Sequence, residues 1–187
     1  VEENVYDVIL ADPPWYYNKR NNPNTKFGLG AGGHYSVMPL DGILNMGMFA
    51  SQDLPSIRML ANDNAVLFLW STCPHLKDAV RVIDFWGFRY CTVAFVWVKT
   101  TKDGSKYLHL PGYYTSSNVE LVLLGARGSM EPAVPMLSQI VEAPRLAHSE
   151  KPKMVRDRIN LMYPNARKIE LFARKRVEDW DAWGNEV

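Results

Sequence analysis

The chain predicts an α/β fold, a mostly parallel sheet with helices on both faces. The runs Val8-Ile9-Leu10-Ala11 and Ala65-Val66-Leu67-Phe68-Leu69-Trp70 are apolar throughout and of strand length, as in strands buried on both sides. Between Pro74 and Trp86 the apolar residues Leu76, Ala79, Val80, Ile83 and Phe85 recur at helical spacing, and Gly87 closes the segment. A strand pattern follows directly, with Tyr90, Thr92, Val93, Ala94, Phe95, Val96 and Trp97. Strand, helix and strand in succession imply parallel neighbours with helices packed on the sheet.

The first strand ends in Asp12-Pro13-Pro14-Trp15. Proline has no N–H and a fixed φ, so the ladder stops at Asp12. In an open α/β sheet, ligands gather at the carboxyl ends of strands. Two prolines there form a stiff rim of carbonyls, Asp12 adds an acceptor and Trp15 a flat apolar face. This set suits methyl transfer to the exocyclic amine of a nucleobase. The lone pair of that amine is delocalised into the ring. Acceptors for its two hydrogens, the Asp12 carboxylate and the Pro13 carbonyl, would draw it toward tetrahedral geometry, while Trp15 would stack on the base. The gain is one of positioning and of dipoles fixed in advance. The plainer alternative is a strand entering a Pro-Pro turn with a core tryptophan.

Residues 16–37 are rich in Asn, Gly and Lys, too long for a tight connection and placed to close over a target. Tyr35 would be a second aromatic wall, and Lys19, Arg20 and Lys26 would meet phosphates. Gly28 and Gly30 do not follow a strand and are no dinucleotide fingerprint. A short helical stretch begins at Pro39, and another spans residues 56–60. Ser71-Thr72 is placed to cap the 74–86 helix. A polar loop over 100–117 is flanked by Lys99 and carries Lys102, Lys106, His109, Tyr113 and Tyr114. The strand from Asn118 to Gly125 is expected to return antiparallel through it. Residues 126–148 read as irregular, with Pro132, Pro135 and Pro144. Ser149-Glu150-Lys151-Pro152 opens a helix to Tyr163 with Met154, Val155, Ile159 and Met162 on its apolar face. Arg167 to Phe172 is the last clear strand, followed by a polar tail.

At 187 residues a single domain, 1–187, is expected. The net charge of +1 gives no global field for nucleic acid, so local basic residues must supply it. Cys73 and Cys91 form no disulfide or metal pattern, the four histidines lack ligand spacing, and no metal is assigned. There is no membrane-length apolar run and no signal peptide, so the cytoplasm is the expected location. Because the chain starts at Val1, further residues are expected upstream.

The order of parts resembles the A-seventy family of S-adenosylmethionine-dependent adenine methyltransferases. The matching segments are Asp12-Pro13-Pro14-Trp15, Phe68-Leu69-Trp70, Trp97-Val98-Lys99-Thr100, Glu120, His148-Ser149-Glu150-Lys151-Pro152, Arg167 to Arg174 and Trp183-Gly184-Asn185-Glu186. The resemblance implies a Rossmann-like class I methyltransferase sheet in permuted order, with the catalytic strand first and the cofactor strand, ending at Phe172, late. It implies S-adenosylmethionine as cofactor. Asp12 would hold its methionine amino group and Lys151 its carboxylate. Glu170, Leu171, Phe172, Arg174 and Arg176 would line its adenosine half, with Asn185 and Glu186 on the ribose hydroxyls. Lys99, with Lys19, Arg20 and Tyr35, would serve the substrate. The family often has histidine then asparagine where this chain has Arg176-Val177, and glutamine where it has Glu186.

The activity expected is methylation of the adenine N6 amine, in DNA rather than RNA, on an extruded or single-stranded base. Bacterial-style compactness suggests a bacterial or phage-infected cell, and the lack of a target-recognition domain suggests a homodimer or a partner subunit. The competing readings are RNA as substrate, a silent scaffold of the same fold, and a different amine. Enzymes acting on the cytosine amine or a glutamine amide usually carry Ser or Asn in place of Asp12.

Overall fold

The structure, a computed structural model, describes residues 5–16, 37–46, 54–112, 114–146 and 150–187. The strands are β1 (Tyr6–Ala11), β2 (Ala61–Ser71), β3 (Arg89–Thr100), β4 (Val119–Arg127), β5 (Ile140–Pro144), β6 (Lys168–Leu171) and β7 (Asp181–Trp183). The helices are α1 (Leu40–Leu44), α2 (Ile57–Leu60), α3 (Leu76–Phe85) and α4 (Lys153–Met162). The strands form one sheet in the order β5-β3-β4-β2-β1-β6-β7. Pairings β1–β2, β1–β6, β6–β7 and β3–β5 are parallel, while β4 runs antiparallel between β2 and β3. The sheet is therefore mostly parallel, and β3 and β4 pair antiparallel across the long polar loop as their sequence suggests.

Alternation along each strand feeds two cores. Ile9 and Ala11 of β1 pack with Leu67 and Leu69 against α1, α2 and α3, through Ile43, Ile57, Ala79, Val82 and Ile83. Val8 and Leu10 face the other way with Phe68, Trp70 and Phe95, covered by Val155 and Ile159 of α4. Covering both faces requires the continuous apolar runs seen in the sequence. Helix α3 ends in a Schellman motif. The Phe88 N–H donates to the Ile83 carbonyl and Gly87 N–H to that of Asp84, with Gly87 at φ +84°. Thr72 gives no side-chain cap, because a 3₁₀ turn, Cys73–His75, intervenes before α3.

Three local expectations are corrected. Strand β5 lies inside the stretch that reads as irregular, and β7 inside the polar tail. Helix α4 begins at Lys153 rather than at Ser149, with Pro152 as its N-cap in an extended conformation (ψ 131°). Lys151 therefore sits before the helix rather than in its first turn, as is common for a residue that precedes proline. No helix among the described residues is long and apolar enough to cross a membrane.

Candidate active site

Strands β1, β2 and β3 run in one direction and β4 in the other, so the carboxyl ends of the first three meet the amino end of β4. Four charged side chains converge there. Lys151 Nζ lies 2.9 Å from Asp12 Oδ2 and 3.3 Å from Glu120 Oε2, and Lys99 Nζ lies 2.7 Å from Glu120 Oε1. The sequence runs acid, base, acid, base across the sheet edge, with no side chain of the four more than 21% exposed. Two aromatic faces support the cations: Lys151 lies 5.3 Å from the Trp70 ring centre and Lys99 5.2 Å from that of Trp97.

Each charge is set by burial against its neighbours. Burial pushes the Asp12 carboxyl up, Lys151 opposes this, Glu120 adds to it, and the net direction is upward. Burial would also raise Glu120, but Lys151 and Lys99 outweigh it and hold that carboxyl below its usual range. Burial works to lower Lys151, yet Asp12 and Glu120 carry it above the ordinary lysine value. Lys151 is thus a charged member of the corner, not a solvated lysine of a helix start.

The Pro-Pro rim is rigid for a reason that the sequence does not show. Trp15 N–H donates to the Pro13 carbonyl at 2.8 Å, closing a three-residue turn, and Met38 N–H donates to the Pro14 carbonyl at 2.8 Å. The rim carbonyls therefore do meet competing donors, each from backbone. The Trp15 ring is also not an open platform. It is 7% exposed, its indole N–H donates to the Trp70 carbonyl at 3.1 Å, and it stacks on His75 with centroids 5.4 Å apart. Trp15 ties the turn after β1 to the end of β2, so its contribution to the corner is one of placement.

Lys99, expected to serve the substrate, is 8% exposed and its Nζ lies against Glu120. Lys19, Arg20 and Tyr35, with Lys26, Tyr113 and His148, lie outside the described residues.

The second half of the site follows β6, beside β1. Glu170 stands opposite Leu10, and the Asp12 N–H reaches the Leu171 carbonyl at 3.4 Å. Glu170 Oε2 accepts from Arg156 of α4 at 2.7 Å. The Leu171 side chain is fully buried in the core. Phe172 adopts a left-handed φ of 61° and meets Trp183 edge-on at 5.9 Å. This bend lets β7 return alongside, where Ala173 N–H donates to the Trp183 carbonyl. Gly184 follows at such close approach that a Cβ would lie 2.3 Å from the Ala173 carbonyl oxygen. Arg174 lies 3.7 Å from Glu186, while Arg176 and Asn185 are exposed nearby in the chain.

The sequence thus points to Asp12, Lys151 and Glu170, and the structure adds Glu120 as a second acid on Lys151, Arg156 as the counter-ion of Glu170 and His75 as the support of Trp15. In the sequence Glu120 stood out as an acid in an otherwise apolar strand and as one of the matching segments, with no role attached.

A protein-family model, MT-A70, matches residues 6–186. The chain is similar to the Type II methyltransferase M.MunI of a Mycoplasma species, at 36% identity over 97% of this chain and 78% of that protein. It is 27% identical to the N6-methyladenosine RNA methyltransferase MTA1 of Pyricularia oryzae, over 97% of this chain and 47% of the relative. With the human N(6)-adenine-specific methyltransferase METTL4 it shares 28% identity, over 97% of this chain and 37% of that protein. The chain thus spans most of the first relative and less than half of the other two.

Proposed function

The chain belongs to the MT-A70 family, and from that premise we propose that it transfers a methyl group from S-adenosylmethionine to the N6 amine of adenine in DNA. The observation that carries the reading is the ion-paired Asp12 carboxylate on a hydrogen-bonded Pro-Pro rim at the carboxyl end of β1. The higher identity to a Type II methyltransferase than to a relative named for RNA supports DNA.

The residues suit the cofactor chemically. Its amino group asks for a carboxylate, its carboxylate for a cation and its ribose hydroxyls for acceptors. Asp12 would serve the first, Lys151 the second, and Asn185 and Glu186 the third. Glu170, the Leu171 backbone, Phe172, Arg174 and Arg176 would line the adenosine half. S-adenosylmethionine supplies, when bound, a methyl group activated on a sulfonium.

The work left to the chain is to hold the amine and take its proton. The Asp12 carboxylate accepts one amine hydrogen, and the second lone pair of the Pro13 carbonyl accepts the other. As the nitrogen gains its methyl it loses a proton, which Asp12 receives. Burial raises the pKa of Asp12 and makes it a better base than an exposed aspartate. Lys151 and Glu120 fix the direction in which the carboxylate points. Tyr35 would cover the base, with Lys19 and Arg20 on phosphates. We read residues 1–187 as one catalytic domain acting in the cytoplasm on an extruded or single-stranded base, with a second copy or a partner subunit supplying sequence readout.

The test is incubation with methyl-labelled cofactor and matched DNA and RNA oligonucleotides, single- and double-stranded, followed by mass analysis of the nucleosides. N6-methyladenine in DNA is expected, and none with Asp12→Ala of unchanged fold. Label in RNA alone would transfer the reading to adenosine in RNA. Label in cytosine or in neither would refute it, as would full turnover by Asp12→Ala.

A further inference from the structure

Two carboxylates stand at the ends of adjacent parallel strands, Asp12 just past β1 and Glu170 in β6. Both are met by cations from one segment. Lys151, in the lead-in to α4, reaches Asp12, and Arg156, four residues into α4, reaches Glu170 with Nη1 2.7 Å from Oε2. Arg156 and Glu170 are 13% and 16% exposed, and Arg156 Nε is buried without a hydrogen-bond partner among the described residues. A buried ion pair with an unmatched donor is a poor source of stability, since well-packed apolar residues commonly do as well. What the pair does achieve is to hold a carboxylate in a fixed direction near Asp12 and to favour its charged form against a burial that still leaves its pKa raised.

We infer that Arg156 is a positioning residue for methyl transfer, holding the Glu170 carboxylate ionised and oriented at the strand ends where the cofactor is proposed to lie. The inference rests on that proposed reading. The charged groups facing Glu170 are Arg156 from α4, Asp12 from the end of β1 and Lys175 from the segment after β6. Burial pushes the Glu170 carboxyl up, Arg156 pulls it down, Asp12 pushes it up again and Lys175 opposes that. Lys175 is 58% exposed and shared with Glu150 at 2.9 Å, so without Arg156 little opposes protonation.

The test uses the full chain with Arg156→Met, which keeps an apolar stem, and Arg156→Lys, which restores the charge. Cofactor affinity is measured by calorimetry from pH 6 to 9 and taken as a ratio to wild type, so that titration of the cofactor itself cancels. With methionine the affinity deficit is largest at pH 6 and closes by up to about tenfold per pH unit as Glu170 ionises. With lysine the ratio is flat. In the free protein, the carbon-13 titration of the Glu170 carboxyl moves up by at least about one pH unit in Arg156→Met. A deficit equal at every pH, with an unmoved Glu170 midpoint, would assign Arg156 to packing and overturn the inference. If wild type binds no methyl donor at any pH, the methyl-transfer reading fails and this role with it. If wild type binds and the profiles stay parallel, only the role of Arg156 fails.

Discussion

Replacing Lys151 with methionine keeps the side-chain length and removes the charge on which the corner depends. At an effective dielectric of about 20, a unit pair at the observed 2.9 Å is worth about 6 kcal/mol and one at 3.3 Å about 5 kcal/mol. Desolvation offsets much of this, and breaking a buried pair from one side costs about 3–5 kcal/mol. Proton uptake sets a second limit. Protonating an aspartate of ordinary pKa at pH 7 costs about 4 kcal/mol, so the share due to Asp12 cannot exceed that. The sign follows from the direction of the shift. Asp12 is already raised, and losing Lys151 raises it further. A raised carboxyl destabilises the fold above its unfolded pKa, increasingly so until the folded pKa is passed, and not at all below the unfolded value. Lys151 itself is raised, so its stabilisation is fully present below the ordinary lysine pKa and does not vary across the assay. Urea unfolding at pH 4.5, 6, 7.5 and 9 is therefore expected to show a deficit of about 3–5 kcal/mol at pH 7.5 that shrinks toward pH 4.5. A deficit below about 1 kcal/mol would mean that Lys151 is an ordinary solvated lysine, and a larger one equal at pH 4.5 and 7.5 would mean that its loss does not act through Asp12.

Because burial and Glu120 both raise Asp12, the acid limb of turnover is expected above the usual aspartate range, and Glu120→Gln is expected to move it to lower pH; a pH–kcat profile with no shift, or an upward one, would contradict the charge order. Trp15→Phe removes the indole N–H from the buried Trp70 carbonyl and is expected to cost about 1–3 kcal/mol in thermal or chemical unfolding, with turnover falling more than cofactor affinity; an unchanged stability would release Trp15 from its place in the packing. Gly184→Ala sets a Cβ 2.3 Å from a backbone oxygen that cannot rotate away, so β7 must shift; a loss of about 1–3 kcal/mol with weakened cofactor binding is expected, and wild-type behaviour by calorimetry and unfolding would show that the approach is looser.

What could be read in the sequence was what local chemistry dictates. The end of β1 is legible because two prolines forbid anything else, and α3 because its apolar spacing and Gly87 agree on a start and a stop. Strand β5 is not legible, because an edge strand pairs on one side only and needs no long apolar run; Ile-Val-Glu-Ala-Pro sits among prolines and looks like loop. Three-residue β7 exists through its pairing with β6, which no local pattern signals. The site shows the same division. Asp12, Lys151 and Glu120 could be named, but not that Lys151 bridges the two acids: Glu120 also joins Lys99 through the register that sets it opposite Trp97, a tertiary fact. Trp15 was legible as important, but its burial stood only as the plainer alternative, because it depends on the His75 turn that arrives 60 residues later.

The placement of β6 beside β1 has a consequence for how this protein is born. Strand β1 leaves the ribosome long before one of its two neighbours, which is encoded about 160 residues downstream, where the Arg167 N–H meets the Asp7 carboxylate. Until then β1 offers a naked row of backbone donors and acceptors on an apolar ribbon, the kind of edge that invites pairing with other chains. Such a distant closure is slow. Asp12 and Glu170 stand on opposite sides of that late seam, so the last join of the sheet would also be the moment at which the two carboxylates first come together.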